Sequence, residues 1–207
     1  MGGDLSPARL VHAYSRGIFP WYSFNEPILW WTPEPRCVLF PNRIAPSKSL
    51  RKRLRKPYTL SLNKAFGDVI HYCSVVDGRR DNTWILPELM YAYTDLHNLG
   101  YAHSIEVWAG SDLVGGLYGV RVGKVFFGES MFSRSADGSK MALIALSHVC
   151  SNSGVVLIDG QVENPHLMNM GATLLSRLDF ENILGQNVHS DIDQSQWRLP
   201  EQTQDLA

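Results

Sequence analysis

Three strand patterns separated by two tight turns constrain the fold of this chain more than any other feature of its sequence. The patterns run over His103–Trp108, Leu113–Val122 and Val125–Met131, and the turns are Gly110–Asp112 and Gly123-Lys124. Glycine and small polar residues between such patterns are typical of hairpin turns. The segment therefore predicts an antiparallel meander of three strands.

The elements on both sides of the meander extend the same sheet. After it, the sequence predicts a helix over residues 140–151, a short buried strand over Val155–Asp159 and a helical turn from Asn164-Pro165 to Gly171. Before it, spacing and capping residues predict helices over residues 7–16, 48–56, 63–74 and 87–99 and strands over 37–40 and 58–62. We therefore expect an α+β fold, or a mixed α/β fold, around one twisted sheet. The polar residues after Asn187 are expected to fray.

Length and composition favour one main domain with an appendage. The chain has 207 residues, of which 44% are hydrophobic and 19% charged, so it can bury a complete core. The aromatic segment from Ile18 to Thr32 is too rich in proline for a regular helix, and Pro33 and Pro35 mark its end. We expect a small N-terminal domain over residues 1–35 and a main domain over residues 36–207.

Several classes of protein are disfavoured by what the sequence lacks. No apolar run approaches the ~18–20 residues of a membrane-spanning helix, and the first residues lack the features of a secretory signal. The three cysteines are widely separated without a CxxC pair, and the seven histidines show no metal-binding spacing. We expect a cytoplasmic protein that needs no membrane, metal or cofactor.

Positive charge is concentrated in one block that the net charge of −1 conceals. Between Pro35 and Gly67 there is no Asp or Glu, so the charged side chains of this stretch are all positive. Its nine cations are Arg36, Arg43, Lys48, Arg51, Lys52, Arg53, Arg55, Lys56 and Lys64. Ordinary surface helices mix the two signs, since unlike charges three or four residues apart stabilise a helix. The block predicts a local binding surface for a polyanion, and the alternative is a solvated helix face.

A group of polar side chains follows the short buried strand. Asp159 and Gln161 lie two residues apart at its end, so we expect their side chains to share a face, and Asn164 follows within reach. Burying such groups costs free energy unless they are paired. They predict a polar cluster in a cleft at the end of the sheet. The alternative is a carboxylate that caps a loop with amide partners.

Glu129 stands in the most apolar strand pattern, where alternation places it on one face with Phe127 and Met131. A lone carboxylate in such surroundings is either paired internally or faces a pocket that takes a cation. Because the sequence supplies no obvious fixed partner, we favour the pocket.

The loop from Arg134 to Lys140 has the ingredients of a phosphate cradle, namely small residues and two cations before a helix. It matches no nucleotide-binding motif, so a capped loop is favoured. No serine lies in a nucleophile-elbow context, which argues against covalent catalysis.

Long motifs are distributed along the chain from about Gly2 to Phe180. In chain order they are MGGDLSPARL, YSRGIFPW, ILWWTPEPR, SLRKRLRKPYTL, TWI, HSIEVW, LVGGLYG, GESMFSR and LIDGQVEN. The strings and their order resemble those of leucyl/phenylalanyl-tRNA–protein transferases. The resemblance implies transfer of leucine, phenylalanine or methionine from an aminoacyl-tRNA to a protein with an N-terminal lysine or arginine, which marks that protein for N-degron proteolysis. It implies a catalytic domain similar to GCN5-related N-acetyltransferases and an N-terminal domain that is shortened here, because family members have a further segment before GGDL.

The resemblance also implies roles for individual residues. Asp159 and Gln161 would be the catalytic pair, which Asn164 could orient, and Glu129 would help hold the acceptor. Trp21, Trp84 and Tyr93 would surround the aminoacyl end and the terminal adenosine, while the donor side-chain pocket would be lined by Phe126 and Met131. The residues expected to clamp the tRNA acceptor stem are Lys48, Arg51, Lys52, Arg53, Arg55 and Lys56.

Two other functions stay open at this point. One is an acetyl-CoA-dependent N-acetyltransferase, although residues 134–140 depart from the pyrophosphate loop of that superfamily and such an enzyme needs no cationic block. The other is a non-catalytic RNA-binding module, which would leave Asp159, Gln161 and Glu129 without a role. An aminoacyl ester is already activated, so transfer requires only orientation, removal of a proton and stabilisation of an oxyanion.

Overall fold

Nine strands are present in the computed structural model, which describes residues 1–44, 46–76 and 83–207. They are β1 (Phe19–Pro20), β2 (Trp30–Trp31), β3 (Arg36–Leu39), β4 (Thr59–Leu62), β5 (Ala102–Ala109), β6 (Asp112–Val122), β7 (Val125–Ser133), β8 (Leu157–Gln161) and β9 (Thr173–Leu175). β1 pairs with β2, and the other strands form one sheet in the order β4-β5-β6-β7-β8-β3-β9. Within the described residues, β7 and β8 pair in parallel, whereas the other neighbouring strands of the large sheet are antiparallel.

Seven α-helices lie in the described ranges and surround the sheet. They are α1 (Pro7–Tyr14), α2 (Lys48–Leu54), α3 (Phe66–Val75), α4 (Pro87–Asn98), α5 (Gly138–Ser153), α6 (Pro165–Asn169) and α7 (Arg177–Asn187). Side chains of α1, α3, α4 and α7 pack into one buried cluster, the α4-side cluster. Side chains of α2, α5 and α6 pack into a second, the α5-side cluster. None of these helices is both long enough and apolar enough to cross a membrane.

The central meander is confirmed. β5, β6 and β7 follow one another in the sheet, and Leu117 of β6 lies between Ile105 of β5 and Met131 of β7. The expected α+β class is also confirmed, as a mostly antiparallel sheet with helices.

α5 approaches the sheet closely because two glycines face each other. A Cβ atom on Gly115 of β6 would lie 2.5 Å from the backbone of Gly138, at the start of α5. No side chain fits at that distance, so the pair fixes where α5 begins. The helix is thereby held beside the end of β7.

The first 35 residues pack on the same core as the sheet. Leu10 and Tyr14 of α1, with Phe19 and Tyr22, belong to the buried cluster that contains Val38 of β3. α1 contacts both α4 and β6. The N-terminal segment therefore contributes side chains directly to the interior of the main sheet.

The expectation that the residues after Asn187 fray is wrong. Trp197 packs its ring against His103 and Phe126, with centroid distances of 5.0 and 6.5 Å, and Thr203 is completely buried. The apolar residues of this segment are single and irregularly spaced, so they form no periodic pattern. They nevertheless bury apolar surface against the α5 face of the sheet, which holds the segment in place.

Candidate active site

The site lies where the two parallel strands separate. β7 and β8 are paired from Val125 opposite Leu157 to Phe127 opposite Asp159, and the pairing ends there. Beyond this point the strands enclose a cavity of about 420 Å³. Its apolar wall includes Leu117, Met131, Leu143, Leu146, Ile158 and Leu167.

A β-bulge presents Glu129 to the cavity. Tyr118 lies opposite Ser130 and Gly119 opposite Gly128, so Glu129 is the extra residue of β7. A bulge interrupts the alternation of side chains and re-aims the extra residue. The expectation that Phe127, Glu129 and Met131 all share one face is therefore wrong, because Phe127 packs in the α4-side cluster and Met131 in the α5-side cluster.

A second bulge lies at the same level on β8. Val38 of β3 is opposite Asp159 and Cys37 is opposite Gln161, so Gly160 is the extra residue. A Cβ atom on Gly160 would lie 2.6 Å from Leu167 Cδ1, and Gln161 has a left-handed backbone with φ of 64°. Because of this bulge, the simple alternation that predicts a shared face for Asp159 and Gln161 does not apply. A residue that is not glycine rarely adopts this conformation without a compensating contact.

Asp159 supplies that contact and is itself held by a buried arginine. Its Oδ1 accepts the Gln161 backbone N–H at 2.8 Å. Arg36 donates from Nε to Oδ1 at 2.8 Å and from Nη2 to Oδ2 at 2.6 Å. Arg36 and Asp159 are 1% and 0% exposed, and the guanidinium lies between the rings of Phe19 and Phe180, at 5.0 and 4.5 Å from their centroids. The prediction that Arg36 belongs to the cationic surface is wrong, because its charge is used inside the protein.

Glu129 accepts three hydrogen bonds. Tyr14 Oη and Gln161 Nε2 donate to Oε1 at 2.7 and 2.8 Å, and Tyr93 Oη donates to Oε2 at 2.8 Å. Burial and, to a smaller extent, the nearby charge of Asp159 together raise the pKa of Glu129 to about 7, although these hydrogen bonds oppose the shift. The carboxyl therefore has internal partners and also lines the cavity. Tyr14 had no functional signal in the sequence.

A second, smaller cavity of about 180 Å³ lies on the other side of this polar group. Glu129, Gly160, Gln161 and Asn164 line both cavities. The aromatic wall of the smaller cavity is formed by Phe19, Trp21 and Trp84. The carboxyl of Glu129 and the amide of Gln161 thus stand between an apolar chamber and an aromatic one.

The other residues with expected roles lie at different depths. Met131 and the two tryptophans reach a cavity wall. Tyr93 is buried behind Glu129, and Phe126 is buried in the α5-side core against Trp197. Asn164 caps α6, since its Oδ1 accepts the Leu167 backbone N–H at 2.9 Å.

The cations of α2 and its flanks face outward. Lys48, Arg51, Lys52, Arg55 and Lys56 are exposed. Arg53 differs, because it is half-buried and lies 3.6 Å from Asp137.

Both cations of the loop before α5 make hydrogen bonds within the protein. Arg134 Nη1 donates to the Leu113 carbonyl at 3.0 Å, and Lys140 Nζ donates to Asp137 at 2.8 Å. Asp137 places a negative charge at the position where a phosphate would bind. These contacts favour the capped-loop alternative for residues 134–140, where Ser133 Oγ rather than Asp137 accepts a hydrogen bond from the first turn of α5, the Ser139 N–H at 2.8 Å. No group of three or more His, Cys, Asp or Glu side chains suited to a metal occurs within the described residues.

The sequence matches two family descriptions over most of its length. Residues 38–185 match "Leucyl/phenylalanyl-tRNA protein transferase", and residues 3–34 match the N-terminal domain of the same family. A similar protein of Hydrogenovibrio crunogenus, named leucyl/phenylalanyl-tRNA–protein transferase, is 51% identical over 201 residues, which are 96% of this chain and 78% of that protein. Proteins with the same name from Syntrophobacter fumaroxidans and Shewanella baltica are 50% and 47% identical, each over 85% of its length and 95% and 97% of this chain.

A crystal structure of a conserved protein of unknown function from Bacteroides thetaiotaomicron overlaps 76% of this chain and 57% of its own, with a TM-score of 0.46 and 13% identity. That likeness is too low to assign a fold family. The sequence matches, in contrast, cover residues 3–34 and 38–185, and both of these ranges contribute residues to the site. The chain belongs to the leucyl/phenylalanyl-tRNA protein transferase family.

Proposed function

We propose that this protein transfers an aminoacyl group from an aminoacyl-tRNA to the α-amino group of an acceptor protein. The observation that carries the proposal is the pair formed by Glu129 and Gln161, which stands between an apolar cavity and an aromatic cavity. An aminoacyl ester of adenosine has the matching shape, with an apolar side chain and a flat base on either side of one carbonyl.

The two cavities divide the donor between them. The apolar chamber, with Met131 on its wall, takes the side chain of leucine, phenylalanine or methionine. The terminal adenosine binds in the smaller cavity against Trp21 and Trp84, because aromatic side chains stack on bases. The ester carbonyl then lies beside Gln161 and Glu129.

Transfer requires a neutral amine and a route for its proton. The amine nitrogen attacks the ester carbonyl carbon, a C–N bond forms, and the bond to the ribose oxygen breaks. We assign the proton of the attacking amine to Glu129, which returns it to the ribose oxygen as that oxygen leaves. A pKa of about 7 suits this exchange, since an α-amino group has an ordinary pKa of ~7.7–8.0.

Asp159 takes a positioning role in this mechanism. Both of its oxygens are engaged by Arg36, and one also holds the Gln161 backbone N–H. Its contribution is to keep Gln161 in the left-handed conformation that aims the side-chain amide at Glu129.

The acceptor and the tRNA body approach from different sides of this group. Glu129 attracts the α-ammonium of an acceptor with N-terminal lysine or arginine, and the ammonium releases one proton to solvent to give the neutral amine that attacks. The exposed cations of α2 bind the phosphates of the acceptor stem, whose sequence they do not read.

We further propose a fold of the GCN5-related N-acetyltransferase type, supported by the β7–α5–β8 unit within an otherwise antiparallel sheet. We also propose a cytoplasmic location, where aminoacyl-tRNA occurs.

Transfer of leucine or phenylalanine from radiolabelled charged tRNA to a peptide with N-terminal arginine tests the proposal. We expect labelled peptide with the free N-terminus and none with the same peptide acetylated at its N-terminus. Labelled acetyl-CoA in place of the charged tRNA is expected to give no product, because Asp137 opposes an anion at the start of α5. Acetylation of the peptide without aminoacyl transfer would overturn the proposal in favour of an acetyltransferase. Binding of tRNA without either reaction would favour an RNA-binding module.

A further inference from the structure

The last segment of the chain is bonded to the end of the cationic helix. Thr203 is completely buried, and its hydroxyl donates to the Leu54 carbonyl at 2.7 Å. The same oxygen lies 3.3 Å from the Lys56 carbonyl. The Thr203 backbone N–H donates to the Tyr58 carbonyl at 3.1 Å, and the Leu60 N–H donates to the Glu201 carbonyl at 2.8 Å. The segment therefore closes both the end of α2 and the edge of β4.

α2 depends on such external contacts. It has 7 residues, of which only Leu50 and Leu54 are buried. Isolated helices of fewer than ~12–15 residues are marginal in water, and this one holds cations without an acidic partner in its own turns. The last carbonyls of a helix need donors from elsewhere, and Thr203 supplies one from a position 149 residues away.

A second contact ties the same helix to the catalytic body. Arg53 pairs with Asp137 at 3.6 Å, and Asp137 precedes α5, which lines the apolar cavity. With Thr203 at one end and Arg53 on one side, the exposed cations keep a fixed direction relative to the cavity.

We propose that Thr203 is a positioning residue for tRNA binding: through its hydrogen bond to the Leu54 carbonyl it orients the cations of α2 toward the acceptor stem. The inference rests on the proposed role of α2 in binding tRNA. It assigns a part in substrate binding to a segment that lies beyond the family match, which ends at residue 185.

The test compares Thr203→Val, which keeps the shape and removes the hydroxyl, with Thr203→Ser, which keeps the hydroxyl. Thr173→Val, at an exposed position of the opposite edge strand, is the matched control. We expect Thr203→Val to raise the Kd and KM for aminoacyl-tRNA by about 2–13-fold, which is 0.5–1.5 kcal/mol for one hydrogen bond at 1.36 kcal/mol per tenfold. The KM for the acceptor peptide and the kcat are expected to stay unchanged, and the serine and control variants to match the wild type.

A second background separates positioning from a general loss of stability. In a variant with Arg51, Lys52, Arg55 and Lys56 replaced by Ala, Thr203→Val is expected to have no further effect on tRNA affinity, because the two changes act through the same contact. All variants are measured at a temperature at which circular dichroism shows them folded, and Thr203→Ala replaces Thr203→Val if the latter does not fold.

Three outcomes decide the inference. Unchanged tRNA affinity in Thr203→Val overturns it, and so does an equal loss of affinity in both backgrounds. If the variant with four alanines in α2 and its flank binds tRNA as the wild type does, the proposed role of α2 fails instead.

Discussion

Replacing Asp159 by Asn is expected to destabilise the protein strongly, because it leaves a buried arginine without its counter-charge. Arg36 and Asp159 are 1% and 0% exposed and share two hydrogen bonds of 2.8 and 2.6 Å. Removing one partner of such a buried pair typically costs about 3–5 kcal/mol. For a chain of this size that loss lowers Tm by about 6–20 °C. Urea unfolding and a thermal melt measure it, with the exposed Asp112→Asn as the matched control.

The double variant Arg36→Met with Asp159→Leu separates stability from activity. Apolar replacement of both partners of a buried ion pair is often neutral, or stabilising by about 1–4 kcal/mol, and methionine packs well against the rings of Phe19 and Phe180. The lost acceptor for the Gln161 N–H costs about 1–3 kcal/mol. The two effects oppose each other, so we expect the double variant to lie within about 3 kcal/mol of the wild type.

Activity in the stable double variant then reports on positioning alone. Without a carboxylate to hold its N–H, Gln161 leaves the left-handed conformation, and kcat is expected to fall by ~10²–10⁴ while tRNA affinity stays unchanged. A single Asp159→Asn variant as stable as the wild type refutes the buried ion pair. Full activity in the stable double variant refutes the positioning role of Asp159.

Four further predictions concern the site and the cationic helix. Since burial raises the pKa of Glu129 to about 7, kcat/KM is expected to rise through pH 7 as this carboxyl loses its proton; Glu129→Gln is expected to remove that limb and leave the acceptor's own near ~7.7–8.0. Because the pKa of Glu129 is higher in the folded protein, folding favours the protonated carboxyl. The free energy of unfolding is therefore expected to fall as the pH rises from the ordinary pKa of a glutamate toward 7. Urea titrations of the wild type and of Glu129→Gln check this. Met131→Ala widens the apolar chamber and is expected to blur the preference among leucine, phenylalanine and methionine in competition assays, since such pockets discriminate by roughly 1–3 kcal/mol per methylene; equal loss for every donor contradicts it. Replacing Arg51, Lys52, Arg55 and Lys56 together by Ala is expected to weaken the binding of all charged tRNAs alike and to reduce the salt slope of binding by ~0.7–0.9 per lost phosphate contact. An unchanged slope contradicts a binding role for these four residues.

Local patterns in the sequence were sufficient to predict most strands of the large sheet and most of its helices, but not β9 or α7. The meander from His103 to Met131 and the helix around residues 140–151 are encoded by periodicity and by turn residues, which act over a few positions. The N-cap of α2 was also predictable, as Ser47 accepts the Leu50 N–H at 3.2 Å. The cluster of Asp159, Gln161 and Asn164 followed from polar residues at the end of an apolar strand.

The arrangement within the site could not be predicted, because it depends on partners far away in the chain. Alternation continues through Glu129 in the sequence, and only the register with β6 makes it the extra residue of a bulge. Arg36 and Asp159 are 123 residues apart, and Tyr14 and Glu129 are 115 apart. A block of cations gives no sign that Arg36, its first member, is used in the interior. The ordered segment around the buried Thr203 was missed because single apolar residues among polar ones produce no period.

The most direct test of the central claim is the single-turnover rate of transfer from bound phenylalanyl-tRNA to an N-terminal-arginine peptide. The wild type is compared with Glu129→Gln and Gln161→Ala, and with the exposed Glu201→Gln as the matched control. The account predicts that both site variants bind the charged tRNA normally and transfer ~10²–10⁴ times more slowly, while the control is unaffected. Transfer by a folded Glu129→Gln variant at the wild-type rate would contradict it.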